Sequence, residues 1–291
     1  MRIVSAPSEV RASVAAARSS GRSIGFVPTM GALHAGHASL IDEARNHGNF
    51  VVVSIFVNPM QFNDPRDLAA YPITTQADDS LCATAGVDLL WRPTVEDIYP
   101  RGFDTVVEPG AMASILEGKH RPGHFRGVAT VVLKLFNVVA PDFAYFGLKD
   151  FQQLAVIRHM ARDLELPVDI IGCPTIREDD GLAMSSRNTK LSADARRSAA
   201  ALSNALTGVV TALRNGDDVA EARAIGLVLL SKQPGIDVEY LEIVDRDTLS
   251  QLTSNDSSTA VVLVAANIGG VRLIDNLEVD PARVGHRRGP A

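Results

Sequence analysis

Residues 23–37 read SIGFVPTMGALHAGH. The first five form an apolar, β-branched run that predicts a buried strand. Over residues 37–47 the apolar side chains recur at three-or-four spacing, which predicts an amphipathic helix. A strand followed closely by a helix is typical of one βα unit in an α/β fold.

The loop between this strand and this helix ends in His34-Ala35-Gly36-His37, an HxGH pattern. Gly31 and Gly36 let backbone approach a phosphate closely, the free N–H groups of the following helix attract an anion, and two imidazoles can donate to phosphate oxygens. The pattern therefore indicates nucleotide binding. The alternative is a capped turn with two solvent-exposed histidines. We expect His37 to act as a neutral N–H donor, because a helix N-terminus disfavours imidazolium.

The alternation of strands and helices continues outward from this unit. Further strands are predicted at residues 50–57, 88–91, 142–146 and 168–172, and further helices at 75–85, 125–139 and 149–164. This order predicts an α/β fold with a Rossmann-like, doubly wound parallel sheet. Ligands of such sheets bind beyond the carboxyl ends of the strands, so the loops after Val27, Val57, Phe146 and Gly172 are the candidate site.

The pattern changes after Arg187. Ala-rich helical stretches are predicted at residues 192–214 and 218–230, and a hairpin at 261–266 and 271–274 around Gly269-Gly270. We predict two domains, a Rossmann-like domain at residues 1–176 and a smaller, lid-like α+β domain at 177–291. Residues 255–257 match a glycosylation sequon that we interpret as a polar loop, and residues 286–291 are expected to be a frayed tail.

Composition excludes several classes of protein. The 291 residues are 46% hydrophobic and 21% charged, with a net charge of -6, so no positive field favours nucleic acid. No apolar run approaches the roughly 20 residues of a membrane span, and we expect a cytoplasmic protein. The cysteines, Cys82 and Cys173, form no CxxC pair, which argues against a zinc site or a disulfide framework.

A second polar motif, Met184-Ser185-Ser186-Arg187, offers two hydroxyls and a guanidinium whose planar fork matches phosphate oxygens. It resembles a KMSKS-type loop. Alone it would be read as a solvated linker, but its position after HxGH favours nucleotide binding.

Five segments, PTMGALHAGH, SIFVNPMQF, EGKHRPGHFRGVATVVLKLF, FGLKDFQQL and GLAMSSRN, resemble those of the pantothenate synthetases, or pantoate–β-alanine ligases, within the HxGH nucleotidyltransferase superfamily. The resemblance spans nearly the whole chain, and residues 57–62 and 149–153 are its most specific parts. It implies ATP-dependent condensation of pantoate with β-alanine through a pantoyl-adenylate, with release of pyrophosphate and AMP, in coenzyme A precursor biosynthesis. It also implies Mg²⁺ and a homodimer.

The resemblance assigns roles to individual residues. The catalytic residues would be His34, His37, Lys149, Ser185, Ser186 and Arg187. ATP would also contact Met30, Gly31, Gly36, Gly147, Leu148, Asp150, Ile176 and Met184. Pantoate and β-alanine would meet Gln61, Gln153, Arg121 and His124, and Asp78 and Asp79 would be possible Mg²⁺ ligands.

The residue types suit these roles, and each has a simpler alternative. Two glutamines supply uncharged donors and acceptors for a carboxylate and hydroxyls, although either could be a solvated or capping residue. Lys149 is a point charge at the mouth of a strand, or else half of a surface pair with Asp150. Arg121 and His124 would lie in a mobile loop, and Asp78 and Asp79 on a solvated helix face.

Two positions depart from the family pattern: Leu148 replaces a glutamate, and Ile73 replaces an arginine. Two rival hypotheses stay open. One is another HxGH nucleotidyltransferase, which attaches the nucleotide to a phosphate and stops there. The other, motivated by Leu148 and Ile73, is an inactive nucleotide-binding homologue.

Overall fold

The fold is taken from a computed structural model, which describes residues 1–252 and 260–279. Residues 255–257, which we interpret as a polar loop, and residues 286–291, which we expect to be a frayed tail, lie outside these described residues. The chain divides into two compact units, Met1–Ile176 and Arg177–Ala291.

Six strands form the sheet of the first unit: β1 (Arg2–Val4), β2 (Ile24–Thr29), β3 (Phe50–Ile55), β4 (Leu89–Trp91), β5 (Phe143–Gly147) and β6 (Asp169–Cys173). Their order is β1-β4-β3-β2-β5-β6, and every pair is parallel. Because both faces of such a sheet are covered, its strands are nearly continuous apolar runs, as in Val51-Val52-Val53, all fully buried.

The helices of this unit are α1 (Pro7–Ser19), α2 (Ala35–Asn46), α3 (Pro65–Ala69), α4 (Thr75–Thr84), α5 (Val95–Ile98), α6 (Glu117–His120), α7 (His124–Val139) and α8 (Phe151–Asp163). Short 3-10 helices lie at Pro59–Gln61, Ala111–Ser114 and Leu148–Asp150. One core layer joins α1, α7 and α8 to one face of the sheet, and another joins α2 and α4 to the opposite face. The predicted doubly wound, Rossmann-like fold is confirmed.

β2 and β5 mark the place where the strand order reverses. β3 and β4 follow β2 on one side, and the chain then returns to place β5 on the other. β2 pairs with β5 only at Gly25 and Phe26, so Pro28 lies beyond that pairing and its missing N–H costs no bond on that side. The strand therefore runs two residues past the predicted end at Val27. The crevice between the carboxyl ends of β2 and β5 is the expected ligand position.

The second unit is a three-stranded antiparallel sheet with helices. Its strands, in spatial order, are β7 (Ile236–Asp245), β8 (Ala260–Ile268) and β9 (Val271–Glu278), and its helices are α9 (Ala193–Ala199), α10 (Ala201–Asn215) and α11 (Val219–Ser231), with a 3-10 helix at Ser186–Lys190. Gly269 and Gly270 both have positive φ, of 58° and 82°, which confirms the predicted tight hairpin turn.

The structure corrects one prediction in this unit. Residues 192–214 form two helices that meet at Ala200, not one. Ala200 keeps right-handed helical angles (φ −60°, ψ −21°), so the interruption is one of hydrogen bonding, and the uniform Ala-rich sequence carries no signal for it.

None of the helices in the described part of the chain combines the length and the apolar character that a membrane span requires. Both cysteines, Cys82 and Cys173, form no disulfide and are buried in the core layer between the sheet and the helices α2 and α4.

Candidate active site

The loop after β2 has an uncommon backbone. Gly31 and Ala32 both have positive φ, of 84° and 50°. A Cβ on Gly31 would also lie 3.1 Å from Asp78 Oδ2 and 3.1 Å from Ile55 Cγ2. Glycine is therefore favoured at this position both by its conformation and by the limited space.

Asp78, on the first turn of α4, holds this loop. Its side chain is buried, with 2% of the residue exposed. Oδ2 accepts from Ala32 N at 3.1 Å, and Oδ1 accepts from Leu33 N at 2.8 Å and from Thr74 Oγ1 at 3.0 Å. The carboxylate thus ties α4 to the segment that leads into the two histidines.

His34 and His37 lie together at the start of α2. Their ring centroids are 4.2 Å apart. His34 Nδ1 accepts from Gly36 N at 3.1 Å, and His37 Nδ1 accepts from His34 N at 3.3 Å. Since each Nδ1 is an acceptor, the neutral ring carries its proton on Nε2, which leaves both Nε2–H groups as donors.

Gly36 makes room for the His34 ring. A Cβ at residue 36 would lie 2.9 Å from His34 Cε1 and 3.0 Å from Nδ1. The glycine of HxGH therefore fixes the position of a histidine, a role that the sequence analysis did not assign to it.

Both imidazoles favour the neutral form. Burial, followed by the neighbouring His34, lowers the pKa of His37 to about 3. Burial and the Lys149 ammonium lower the pKa of His34, while Asp150 opposes the shift. These directions support the expected neutral His37, although burial is the larger cause.

Lys149 and Asp150 follow β5 in the short Leu148–Asp150 helix. Lys149 Nζ lies 3.6 Å from Asp150 Oδ1, and only 16% of the lysine side chain is exposed. Both residues act electrostatically on His34 and His37. The segments that follow β2 and β5 therefore lie close together, at the predicted crevice. Gly147 and Leu148 lie in the same segment.

Gln61 is held in one orientation. Asn58 Nδ2 donates to Gly127 O at 3.1 Å and to Gln61 Oε1 at 3.0 Å, while Asn58 Oδ1 accepts from Tyr99 Oη at 2.7 Å. Gln61 Nε2 is then directed to Met30 Sδ at 3.0 Å, and a thioether is a weak acceptor. The buried Gln61 therefore presents an N–H donor next to Met30.

Arg121 and His124 pack against the main chain of Gln61. His124 Nδ1 donates to Gln61 O at 2.9 Å, Arg121 Nη2 donates to the same oxygen at 3.3 Å, and Arg121 Nη1 donates to His124 Nε2 at 3.2 Å. Burial and the Arg121 charge lower the pKa of His124 to about 4. These two residues belong to an ordered cluster with Gln61 and not to a loop that touches nothing.

Two consecutive glutamines on α8 behave differently. Gln152 is buried; its Nε2 donates to Met112 O and Ile115 O, both at 2.8 Å, and its Oε1 accepts from Glu117 N at 2.9 Å. Gln153 is half-buried, and its side chain makes no hydrogen bond with any residue of the described ranges. Gln152 therefore holds residues 112–117, and Gln153 is the one available to a ligand.

In the second unit, the segment after Ile176 is fixed at its base. Arg177 donates to both carboxylate oxygens of the buried Asp275, at 2.7 and 3.0 Å. Ser185 Oγ accepts from Arg187 N at 3.2 Å and begins the Ser186–Lys190 helix. Met184, Ser185, Ser186 and Arg187 are all half-buried.

The possible metal ligands have other partners. Asp79 pairs with Arg92 at 2.5 Å, and Asp78 accepts the three hydrogen bonds described above. Within the described residues, no group of three or more His, Cys, Asp or Glu side chains is arranged to hold a metal ion. Asp78 and Asp79 therefore do not fit a preformed Mg²⁺ site.

Comparison with known proteins shows the family of this chain. The family model described as pantoate-beta-alanine ligase matches residues 2–278. This chain belongs to the pantoate-beta-alanine ligase family. It is 50% identical to the pantothenate synthetase of Herpetosiphon aurantiacus, over 95% of this chain and 99% of that protein.

Solved members of the pantoate-beta-alanine ligase family have the same fold. The pantothenate synthetase of Thermus thermophilus is 47% identical, with a TM-score of 0.91, over 97% of this chain and 100% of that one. The Francisella tularensis ligase, solved with Beta-gamma ATP and Beta-alanine, is 37% identical, with a TM-score of 0.77, over 96% and 98% of the two chains.

The two departures from the pantoate-beta-alanine ligase pattern lie in different surroundings. Leu148 packs against the core layer of α7 and α8, where its side chain would lie 3.3 Å from a Cβ on Gly172. Ile73 is 81% exposed. The first change replaces a charge with packing, and the second places an apolar side chain in solvent.

Proposed function

We propose that this chain joins pantoate to β-alanine with ATP, through a pantoyl-adenylate, and releases pyrophosphate and AMP. The observation that carries the proposal is the crevice between β2 and β5, where two neutral Nε2–H donors and the Lys149 ammonium lie near one another. The family match supplies the identity of the two substrates.

The chemistry requires activation because a carboxylate has no adequate leaving group. A pantoate oxygen attacks the α-phosphorus of ATP and expels pyrophosphate. The β-alanine amine then attacks the acyl carbon of the mixed anhydride and expels AMP. No protein nucleophile takes part, so catalysis depends on positioning and on stabilising the phosphate charge.

His34, His37 and Lys149 suit the phosphate end of this reaction. The neutral imidazoles donate hydrogen bonds to phosphate oxygens through their Nε2–H groups, and Lys149 adds a positive charge. We propose ATP contacts from the loop residues around them, namely Met30, Gly31, Gly36, Gly147, Leu148 and Asp150.

The remaining ATP contacts proposed from the family pattern are Ile176, Met184, Ser185, Ser186 and Arg187. The Arg187 guanidinium makes no hydrogen bond or ion pair within residues 1–252 and 260–279, so its donors are available to phosphate oxygens. The lid-like role of residues 177–291 stays a prediction.

Gln61 and Gln153 suit the pantoate end. Within the described residues, the Nε2 donor of Gln61 has only the Met30 thioether as a partner, and the half-buried side-chain amide of Gln153 makes no hydrogen bond. Both side chains can therefore form stronger hydrogen bonds with a carboxylate or a hydroxyl of the substrate. Arg121 and His124 are proposed to support the pantoate and β-alanine pocket through Gln61.

Three further features are proposed from the family resemblance. Mg²⁺ would accompany ATP, coordinated by phosphate oxygens and water, because Asp78 and Asp79 are engaged elsewhere. The protein would be a homodimer, and it would act in the cytoplasm.

The test is isotope exchange between labelled pyrophosphate and ATP. With pantoate and without β-alanine, we expect exchange; after β-alanine is added, we expect AMP and pantothenate in equal amounts. An enzyme that transfers the nucleotide to a phosphate would show no pantoate-dependent exchange. Calorimetry that shows ATP binding without any turnover would instead establish the inactive homologue.

A further inference from the structure

The loop that carries His34 and His37 is built almost entirely on hydrogen bonds from its own N–H groups. Gly31 N donates to Thr29 Oγ1 at 3.3 Å, and His34 N donates to His37 Nδ1. The two N–H groups between them, those of Ala32 and Leu33, both donate to Asp78. Asp78 therefore holds the middle of the loop, where the backbone leaves its left-handed turn.

We propose that Asp78 is a positioning residue, which sets the placement of the two histidines relative to ATP. The inference rests on the proposed function of His34 and His37. Gly31 and Ala32 both have positive φ, a conformation that costs free energy at Ala32. The Asp78 carboxylate offsets that cost because it accepts from Ala32 N and from Leu33 N. Without it, the loop can relax and carry His34 with it.

The contacts of the neighbouring acid separate this role from metal binding. Asp79 is adjacent in sequence but pairs with Arg92, which directly follows β4, at 2.5 Å. A shared metal would require both carboxylates in one place. A positioning role requires only Asp78, and it makes the two substitutions differ in effect.

Asp78→Asn tests the proposal with little change of shape. The amide keeps one acceptor oxygen but directs an NH₂ group at a backbone N–H of the loop. We expect kcat for pantoate-dependent exchange to fall by about tenfold or more, as displaced reacting groups do. The Mg²⁺ concentration for half-maximal rate is expected to stay at its wild-type value.

Asp142→Asn is the matched control. Asp142 Oδ2 accepts from Ile24 N at 2.7 Å. It therefore also holds a backbone N–H with a carboxylate, but at the opposite end of β2, away from the crevice. We expect this variant to lower the melting temperature without changing kcat for exchange. An equal loss of rate in Asp142→Asn and Asp78→Asn would show a general effect on β2 and overturn the proposal.

A milder variant guards against loss of folding. Thr74 Oγ1 donates to Asp78 Oδ1, and although Thr74 is the N-cap residue of α4 its side chain makes no capping hydrogen bond, so Thr74→Val removes one of the three hydrogen bonds of the carboxylate. We expect a fall in kcat of about two- to twelvefold, the rate equivalent of one net hydrogen bond. An unchanged kcat in a folded Asp78→Asn, or in Thr74→Val if Asp78→Asn does not fold, overturns the proposal.

Two further outcomes are decisive. If Asp78→Asn and Asp79→Asn both raise the Mg²⁺ concentration for half-maximal rate, the pair binds metal and the positioning role is wrong. If the wild type shows no exchange, the proposed function fails. The proposal is then decided by the NMR ring signals of His34 and His37, which must shift in Asp78→Asn and would contradict it if they did not.

Discussion

Gly36→Ala is expected to lower the rate without lowering stability. The added Cβ would lie 2.9 Å from His34 Cε1, whereas ordinary contact begins at 3.4 Å, so the ring must move by 3.4 − 2.9 = 0.5 Å. If the ring moves directly away from the Gly36 main chain, the bond from Gly36 N to His34 Nδ1 lengthens by up to 0.5 Å, from 3.1 to about 3.6 Å, beyond a useful hydrogen bond.

Such a displacement of a phosphate donor is expected to reduce kcat for exchange by about 10- to 100-fold, or about 1.4 to 2.7 kcal/mol of activation free energy. Stability should change little, because alanine is favoured over glycine in a helix by about 0.5–1 kcal/mol, which offsets the crowding. The assays are pyrophosphate exchange and thermal unfolding.

The control is Gly48→Ala at the other end of α2. Gly48 has a φ of 76° and nothing within 4 Å of an added Cβ. Here the backbone penalty of about 1 kcal/mol is expected to lower the melting temperature by about 2–4 °C, with an unchanged rate. If Gly36→Ala kept its kcat within about twofold of the wild type, the reasoning about the His34 position would be refuted.

Two other substitutions test the site. The pKa of the His37 ring falls from 6.5 to about 3 on folding, so its contribution to stability is complete above pH 6.5 and is lost as the pH falls towards 3. Below pH 6.5, urea unfolding should show the wild type losing about 1.4 kcal/mol per pH unit more than His37→Asn; parallel curves would contradict the shift. Gln61→Glu removes the Nε2 donor and adds a charge that repels pantoate, so KM for pantoate should rise by at least about tenfold with KM for ATP unchanged. A pantoate KM within about twofold of wild type would show that Gln61 does not bind the acid.

The first unit could be predicted from sequence because its signals are local. Buried parallel strands are apolar throughout, and HxGH sits at a strand end whose position follows from the doubly wound order. β1 has three residues and gives too short a pattern. The apolar–polar alternation of β7 is interrupted at Tyr240-Leu241, next to a bulge that shifts the register between Val238 and Tyr240, so its ten residues show no continuous strand pattern.

Much of the candidate site depends on contacts between distant residues. The hydrogen bond from Leu33 N to Asp78 joins residues 45 positions apart, and neither sequence segment alone predicts it. Gln152 and Gln153 are identical neighbours on a helix whose buried residues nearly surround it, so helical phase does not show which one binds the scaffold. The resemblance selected Gln153, whereas the roles of Gln152 and Asn58 required the structure.

The two buried cysteines have a practical consequence for spectroscopy. Burial raises the pKa of Cys82 to about 12 and that of Cys173 to about 11, so neither forms the thiolate that reacts with maleimides at neutral pH. A cysteine introduced on the surface would therefore be labelled selectively in the native protein. Fluorophores or spin labels can be attached to the otherwise unaltered chain, with no need to build a cysteine-free background first.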